Sequence, residues 1–165
     1  MIGNDIVDLK LCRIESNWQR KGFLEKIFTD RELILITNSK NQELTIWQLW
    51  SIKEAAYKIV NRQNGQRLFN PKGFDVFLSG NNKGHVVCGN KIYFSKTYFK
   101  QNFIHSIVVE KTSDFSAVFY LSDRKKIIKK NDLPFFDDGT SAFSPNVSIS
   151  NHGSFEKIVI LKFQL

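Results

Sequence analysis

A segment near the middle of the sequence carries an acid and a base at a spacing that suits catalysis. Glu54 and Lys58 lie four residues apart in segment 43–61, where apolar residues recur with a helical period. Residues four apart share one face of a helix, so both charged groups are predicted to point to the same side. Three aromatic residues are predicted on that side too: Trp47, Trp50 and Tyr57. An exposed Glu–Lys pair is common on helices, but these neighbours favour a functional face.

Two further carboxylates, Asp5 and Asp8, flank the end of a strand-like segment at residues 2–8. An Asp at a strand end is most often a turn or cap residue. If the helix packs beside this strand, however, Asp5 would meet Glu54, and two carboxylates with water suit Mg²⁺. Lys58, one helical turn away, would then face the same phosphates as the metal ion. Both interpretations of the aspartates, cap and ligand, follow from the residues alone.

The elements that must position these residues divide the chain into a helical first part and a stranded second part. Residues 9–28 and 30–37 have helical patterns, and Thr29 with Glu32 forms a capping box. The predicted strands, rich in Val, Ile, Phe and Tyr, are Phe74–Leu78, His85–Cys88, Lys91–Phe99, Phe103–Lys111, Ser116–Ser122, Val147–Asn151 and Lys157–Phe163. We therefore predict an α+β fold in which helices cover one face of a mainly antiparallel sheet.

The chain is long enough for a single domain with its own core. Its 165 residues predict one domain spanning 1–165, with segment 124–145 as an excursion from it. That segment begins with a basic run and continues through Pro134 and Pro145, so it has the weakest pattern in the chain.

Composition excludes several classes of protein. Hydrophobic residues make up 42% of the chain, which excludes a disordered protein. No apolar run approaches the roughly 18 residues that a membrane-spanning helix needs, and no secretory signal is predicted. The two cysteines, Cys12 and Cys88, are predicted to be buried thiols in a cytoplasmic protein. The net charge of +8 predicts an anionic partner: a nucleic acid, a membrane surface, a phosphorylated cofactor or an acidic protein.

Four segments of the chain, in the same order, resemble motifs of the 4′-phosphopantetheinyl transferase superfamily. They are Gly3–Leu9 (G-x-D-I), Phe23–Leu33 (F-x-x-x-x-F-[ST]-x-x-E-L), Trp50–Lys58 (W-[SA]-x-K-E-A-x-x-K) and Val147–Gly153 (S-[IL]-S-H). The longer branch of this family has a second acid where this chain has Val7, so the resemblance is closer to the holo-acyl-carrier-protein synthase branch. In the last motif Asn151 occupies the usual histidine position, and His152 follows it.

The resemblance implies a chemical role for each group. Members of the family transfer the 4′-phosphopantetheine arm of coenzyme A to a serine of an apo acyl or peptidyl carrier protein, and 3′,5′-ADP leaves. Asp5 and Glu54 are then the expected Mg²⁺ ligands, with Glu54 and Lys58 catalytic. The expected coenzyme A contacts are Lys58, Arg62, Arg67 and His152, and the expected carrier contacts are Arg13, Arg20 and Lys21. Lys53 is expected behind the site or facing the carrier, and His85 and His105 are expected to be structural.

The resemblance also bears on assembly and on competing functions. The chain holds one copy of the W-x-x-K-E motif, which implies a site at a subunit boundary and a homo-oligomer, with a trimer as the expected form. Alternatively, residues 112–145 cover that edge and leave a monomer. Two other functions stay open: a non-catalytic relative that binds coenzyme A or a carrier protein, and a basic domain that binds nucleic acid. The leading hypothesis involves neither a nucleic acid nor a membrane.

Overall fold

Fourteen helices and strands follow one another in the computed structural model, which describes residues 1–65, 67–137, 139 and 143–162. In chain order they are β1 (Ile2–Asp8), α1 (Leu9–Glu15), α2 (Phe23–Ile27), α3 (Asp30–Thr37), α4 (Gln42–Asn64), β2 (Asp75–Gly80), β3 (Lys83–Cys88), β4 (Lys91–Phe99), β5 (Phe103–Val109), β6 (Val118–Leu121), β7 (Ile127–Lys130), β8 (Leu133–Phe136), β9 (Val147–His152) and β10 (Phe155–Leu161). Short 3-10 turns lie at Pro71–Gly73 and Thr112–Ala117.

The strands form three antiparallel groups. The largest is a five-stranded sheet in the order β1-β5-β4-β3-β2, and a second sheet has the order β6-β10-β9. Strands β7 and β8 form a separate hairpin. Helix α4 packs on the large sheet, chiefly against β1 and β5. The predicted α+β fold, with helices on one face of a mainly antiparallel sheet, is confirmed.

Helix α4 supplies the centre of the main core. Asn41 caps its first turn and Gly65, in the left-handed conformation, ends it. The helical period places five residues on the core side; Leu49, Ile52, Ala56 and Ile59 are buried, and Val60 is half-buried. Trp47 was expected on the opposite side of this helix, yet it is also buried, because residues of α1 and α2 cover that side as well.

The predicted helix over residues 9–28 is divided into two short helices. Helix α1 ends at Glu15, and α2 begins at Phe23 after Gly22. Gly22 has φ 78°, a left-handed conformation that glycine adopts at no steric cost and that cannot continue a helix. The capping box of Thr29 and Glu32 is present as predicted at the start of α3.

A buried ion pair joins α3, α4 and β2. The Glu32 carboxylate lies 2.8 Å from Lys53 Nζ, and both side chains are fully buried. Glu32 also accepts a hydrogen bond from the Val76 amide, while Lys53 donates to the carbonyl oxygens of Pro71 and Phe74. Burial lowers the pKa of Lys53, and the charge of Glu32 opposes that effect. Lys53 is therefore part of the core, and the expectation that it faces a carrier was wrong, because its ammonium group is enclosed by these acceptors.

The predicted excursion 124–145 contains the β7–β8 hairpin. Beyond β8, the backbone of Phe136 pairs with that of Ser144. Residues 138 and 140–142 of this segment, and Phe163 of the last predicted strand, lie outside the described residues. Whether residues 1–165 form one domain stays a prediction.

The close contact between β1 and α4 predicts that a side chain at Gly3 destabilises the protein. A methyl group on Gly3 would lie 1.9 Å from the carbonyl oxygen of Ala55, which is backbone that cannot rotate away. Gly3→Ala should lower the free energy of unfolding by at least about 2 kcal/mol, as other overpacking substitutions do. Urea denaturation measures this. Gly73→Ala is the control, since a methyl group there meets only the Asn70 side chain at 3.8 Å. Equal stability of the two variants would refute the close contact.

Candidate active site

A cavity of about 270 Å³ opens between β1, helices α1, α2 and α4, and strand β9. Asp5 of β1 and Glu54 of α4 line it together, so the structure brings these two predicted site residues into one place. Its other walls are mostly apolar and include Cys12, Phe28, Trp47 and Trp50. The cavity therefore has mostly apolar walls with two carboxylates on one side, as small-molecule binding sites usually do.

Asp5 is held by two hydrogen-bond donors. Its Oδ1 atom lies 2.8 Å from Ser150 Oγ and 3.3 Å from Lys58 Nζ. Its side chain is 13% exposed. Burial raises the pKa of Asp5, while the charge of Lys58 and the hydroxyl of Ser150 act in the opposite direction. A buried carboxylate with one partly exposed lysine nearby can still accept a further cation.

Glu54 has an unusually high pKa for a carboxyl group in this cavity. Burial and the negative charge of Asp5 together raise the pKa of Glu54 to about 7, with burial as the larger cause. Lys58 opposes both effects. Two carboxylates that repel each other at one site favour either a shared proton or a shared cation.

The carboxylate pair fits a magnesium ion. Mg²⁺ prefers oxygen ligands and usually takes one or two from the protein, with waters and substrate phosphates as the others. Asp5 and Glu54 would supply that number. Within residues 1–65, 67–137, 139 and 143–162, no group of three or more His, Cys, Asp and Glu side chains is placed to hold a metal ion. Two protein carboxylates are the number that suits an ion shared with a substrate.

Lys58 is anchored by backbone as well as by Asp5. Its Nζ atom donates to the carbonyl oxygens of Asn4 at 2.7 Å and Ile149 at 3.4 Å. Lys58 also lines a second cavity, of about 210 Å³, together with Arg62. The ammonium group thus lies between the carboxylate pair and this second cavity.

Arg62 and Arg67 lie in different surroundings. Arg62 donates to the carbonyl oxygens of Pro134 at 2.8 Å and Val147 at 3.3 Å, and burial lowers its pKa. Its Nη1 atom is buried and has no hydrogen-bond partner among the residues that the structure describes. Arg67 is exposed, pairs with Asp132 at 3.4 Å and lines an adjoining surface depression. The structure brings Arg62 close to Lys58 and leaves Arg67 farther out.

His152 reaches the first cavity despite its shift of one residue from the usual motif position. Its Nδ1 atom accepts a hydrogen bond from the amide of Asp8 at 2.9 Å. Both His152 and Asn151 line the cavity with Asp5 and Glu54. Sequence reasoning missed Ser150, which contacts Asp5. The spacing of Ser148, Ser150 and His152 is the available signal, because side chains two apart share one face of a strand.

Other candidate residues have structural partners. Asp8 caps α1, as the cap interpretation of this residue predicts. The hydrogen bond from the Leu11 amide is the largest of the effects that lower the pKa of Asp8. His105 is buried, contacts Asn4, and has its pKa lowered by burial to about 3.

Of the predicted carrier contacts, Arg13 pairs with Glu43 through its Nε and Nη2 atoms, each at 2.8 Å. The two other predicted carrier contacts, Arg20 and Lys21, are exposed.

Comparison with known proteins defines the family of this chain. The family model described as 4′-phosphopantetheinyl transferase superfamily matches residues 1–113, more than half of the chain. The chain belongs to this superfamily. The strands after residue 113, β6 to β10, lie beyond the match.

The similar proteins named below are holo-[acyl-carrier-protein] synthases. A holo-[acyl-carrier-protein] synthase of Fusobacterium nucleatum is 33% identical over 91 residues, which are 55% of this chain and 71% of that protein. The holo-[acyl-carrier-protein] synthase of Neisseria meningitidis has the same fold, with a TM-score of 0.56 and 19% identity, over 67% of this chain and 97% of its own. The Helicobacter pylori enzyme, solved with coenzyme A, has a TM-score of 0.54 and 19% identity, over 67% of this chain and all (100%) of its own.

The raised pKa of Glu54 predicts how stability changes with pH. An ordinary Glu titrates near 4.5, whereas Glu54 in the folded protein titrates near 7. The folded state holds this proton more tightly, so the free energy of unfolding should fall as pH rises from about 4.5 to about 7. The contribution is at most about 3 kcal/mol. Urea denaturation in metal-free buffer at pH 5 and pH 7.5 measures it.

Two variants isolate the contribution of Glu54 from other titrating groups. Glu54→Gln should show a smaller loss of stability between the two pH values than the wild type. Glu43→Gln, at the start of the same helix and outside the cavity, should keep the wild-type loss. The same pH dependence in Glu54→Gln and wild type would contradict the assigned pKa.

Proposed function

We propose that this protein transfers the 4′-phosphopantetheine arm of coenzyme A to a serine of an apo acyl carrier protein, in a Mg²⁺-dependent reaction. The main support is that Asp5 and Glu54 line one cavity, with Lys58 bonded to Asp5, in a chain of this superfamily. The names of the similar proteins point to an acyl carrier protein as the acceptor. The crystal structure with coenzyme A supports that molecule as the donor.

The transfer makes and breaks one bond to phosphorus. The serine oxygen of the carrier bonds to the β-phosphorus of coenzyme A, the one that carries the pantetheine arm, and the bond between that phosphorus and the bridging oxygen breaks. That oxygen leaves with 3′,5′-ADP. Glu54 lines the same cavity as Asp5 and is the residue that would accept the serine proton. Such a reaction needs positioning and charge neutralisation more than covalent help from the protein.

Lys58 would neutralise charge on the diphosphate. Its ammonium group donates all three of its hydrogens, to Asn4, Asp5 and Ile149, so one of the two longer contacts would be replaced when a phosphate binds. Asp5 and Glu54 would hold Mg²⁺, which when bound supplies positive charge to the same oxygens. His152 would donate to a phosphate oxygen at the edge of the first cavity.

Arg62 and Arg67 would contact the nucleotide end of coenzyme A. The unpaired Nη1 of Arg62 supports this role, because a buried cationic donor without a partner is costly until an anion binds. Arg67 lies farther along the same side, next to the cavity lined by Lys58 and Arg62. Arg67 would bind the 3′-phosphate in place of its present, solvent-exposed partner Asp132.

The carrier protein would approach the α1–α2 side of the cavity. The family resemblance implies an acidic carrier protein as the partner. The net charge of +8 on this chain is complementary to such a partner. Arg20 and Lys21 are exposed there and can meet acidic side chains. Arg13 would contribute less, because Glu43 already neutralises it.

We also propose that the protein acts in the cytoplasm, in fatty acid or polyketide biosynthesis. In the part of the chain that the structure describes, every helix is too short or too polar to cross a membrane. The expected homo-oligomer stays a prediction.

The proposed transfer is tested by mass spectrometry of a carrier protein. Incubation of the wild-type protein with Mg²⁺, coenzyme A and a panel of apo-carriers should add one phosphopantetheine to a carrier. Glu54→Gln and Asp5→Asn should each lower kcat/KM by at least about 100-fold, the usual scale for loss of an acid–base group. Circular dichroism checks that both variants are folded.

The matched control for these substitutions is Glu43→Gln. It makes the same chemical change on helix α4, where Glu43 contacts Arg13 outside the cavity. Its kcat/KM should stay within a few-fold of the wild type. Full activity in Glu54→Gln and Asp5→Asn would refute the proposed site. Coenzyme A binding with no transfer to any carrier would instead favour the non-catalytic alternative.

A further inference from the structure

Asn4 is a fully buried polar residue inside strand β1. It occupies the variable position of the G-x-D-I motif, next to Asp5, and asparagine is disfavoured within strands. Gly3 faces the backbone of α4, and neighbouring side chains of a strand point to opposite faces, so Asn4 points away from that helix. None of the ligand contacts proposed for the site involves the Asn4 side chain.

Hydrogen bonds fix the orientation of the Asn4 amide group. The carbonyl oxygen of Lys157 lies 3.1 Å from Asn4 Nδ2, and a carbonyl oxygen only accepts, so the amide nitrogen must face β10. The second hydrogen of Nδ2 is then available for His105 Nε2, at 3.1 Å. The amide group thus ties β1 to the backbone of β10 and to a side chain of β5.

His105 is the acceptor in this pair and is neutral at neutral pH. Burial lowers the pKa of His105 to about 3, and the charges of Lys157 and Lys58 act in the same direction. Because Nε2 accepts from Asn4, the ring proton lies on Nδ1, which is 3.4 Å from the Tyr120 hydroxyl. His105 therefore presents a fixed lone pair to the Asn4 amide.

The hydrogen bonding of Asn4 is incomplete. Its Oδ1 atom is buried and has no hydrogen-bond partner among the residues that the structure describes. A buried acceptor without a partner lowers stability, and an apolar residue of the same shape, such as leucine, would avoid that loss. Local violations of this kind are expected mainly at functional sites. Function therefore explains an asparagine at this position better than stability does.

The main chain of Asn4 connects the buried pair to the active site. Its carbonyl oxygen accepts from Lys58 Nζ at 2.7 Å, which is shorter than the contacts of Nζ to Asp5 and Ile149. Its amide donates to the Ser148 hydroxyl at 2.9 Å. Within the described residues β1 pairs with β5 alone, so no partner strand restrains this outer carbonyl group. The side chain of the same residue supplies a restraint from the other face of the sheet.

We propose that Asn4 and His105 are positioning residues for Lys58. The His105 ring and the Lys157 carbonyl hold the Asn4 side chain, and Asn4 in turn holds its carbonyl oxygen against the lysine ammonium group. Lys58 is thereby kept between the carboxylate pair and the second cavity, where the diphosphate would bind. The inference rests on the proposed function for the identity of the reaction and of that ligand, coenzyme A.

A double-mutant cycle tests whether Asn4 acts through Lys58. Asn4→Leu keeps the approximate shape of the side chain and removes its hydrogen bonds, so it should lower kcat/KM for transfer about tenfold. In a Lys58→Met background, which lacks the ammonium group, Asn4→Leu should lower kcat/KM less than threefold further. A further loss of threefold or more in that background, or a loss below threefold in the wild type, would overturn the proposal.

Variants of His105 give a second test that does not require Asn4→Leu to fold. Glutamine can place an acceptor oxygen where Nε2 lies, whereas leucine has no acceptor. His105→Leu should lower kcat/KM about tenfold, and His105→Gln should recover most of that loss. Equal losses in the two variants would indicate a packing role and refute positioning.

The matched control for the His105 variants is His85→Leu. His85 stacks on Phe77 at a ring distance of 4.8 Å and lines neither of the two cavities. Its substitution makes the same chemical change in the same sheet, so kcat/KM should stay within a few-fold of the wild type. A tenfold loss in His85→Leu would show that any such change in the sheet lowers activity and would remove the support from His105.

Calorimetric titration of coenzyme A provides a readout that does not depend on transfer. Asn4→Leu should weaken binding at least threefold in the wild type and should have no measurable effect in Lys58→Met. Equal weakening in both backgrounds would overturn the inference. The predicted binding pattern without transfer to any carrier would instead refute the proposed function and leave the positioning role intact.

Discussion

The repulsion between Asp5 and Glu54 is the constraint on which the rest of the structure depends. Two carboxylates in one largely buried cavity are unfavourable unless a proton or a cation is shared between them. The fold nevertheless forces them together, because Gly3 lets β1 approach the backbone of α4 without a side chain between them. Lys58 provides partial compensation, and its own position depends on carbonyl oxygens of β1 and β9. The cavity is thus prepared for positive charge before any ligand arrives.

Much of the site could be predicted because its signals are local. The capping box of Thr29 and the helical period around Glu54 need only neighbouring residues, and both elements form where the sequence predicts them. The meeting of Asp5 with Glu54 needed one further assumption, that strand and helix pack together. The motif resemblance supplied that assumption, since spacing alone also allows a solvated pair and a turn residue.

The features that escaped prediction depend on contacts between distant parts of the chain. Lys53 has no local sign that its ammonium group is enclosed, because its partner Glu32 lies 21 positions earlier and its carbonyl acceptors lie in a later turn. Ser150 contacts Asp5 across 145 positions. The predicted helix over residues 9–28 is divided because the backbone becomes extended at Ser16, well before Gly22 precedes α2.

The sheet of β6, β10 and β9 packs beside β1 and lies beyond the residues that the family model matches. The similar crystal structures cover about two thirds of this chain and nearly the whole of their own length (67% and 97% for the first, 67% and 100% for the second). Strand β9 places hydroxyl and imidazole groups on the edge of β1, the strand that contains Asp5. Chemistry assigned to the N-terminal part is therefore positioned by residues that the family match does not include.

Direct titration of a divalent cation tests the central claim, that Asp5 and Glu54 share one metal ion. Mn²⁺, used in place of Mg²⁺, can be followed by electron paramagnetic resonance in the presence of coenzyme A. We predict one Mn²⁺ bound per chain of wild type, with binding weakened at least tenfold in both Asp5→Asn and Glu54→Gln. Unchanged Mn²⁺ affinity and stoichiometry in both variants would contradict the account.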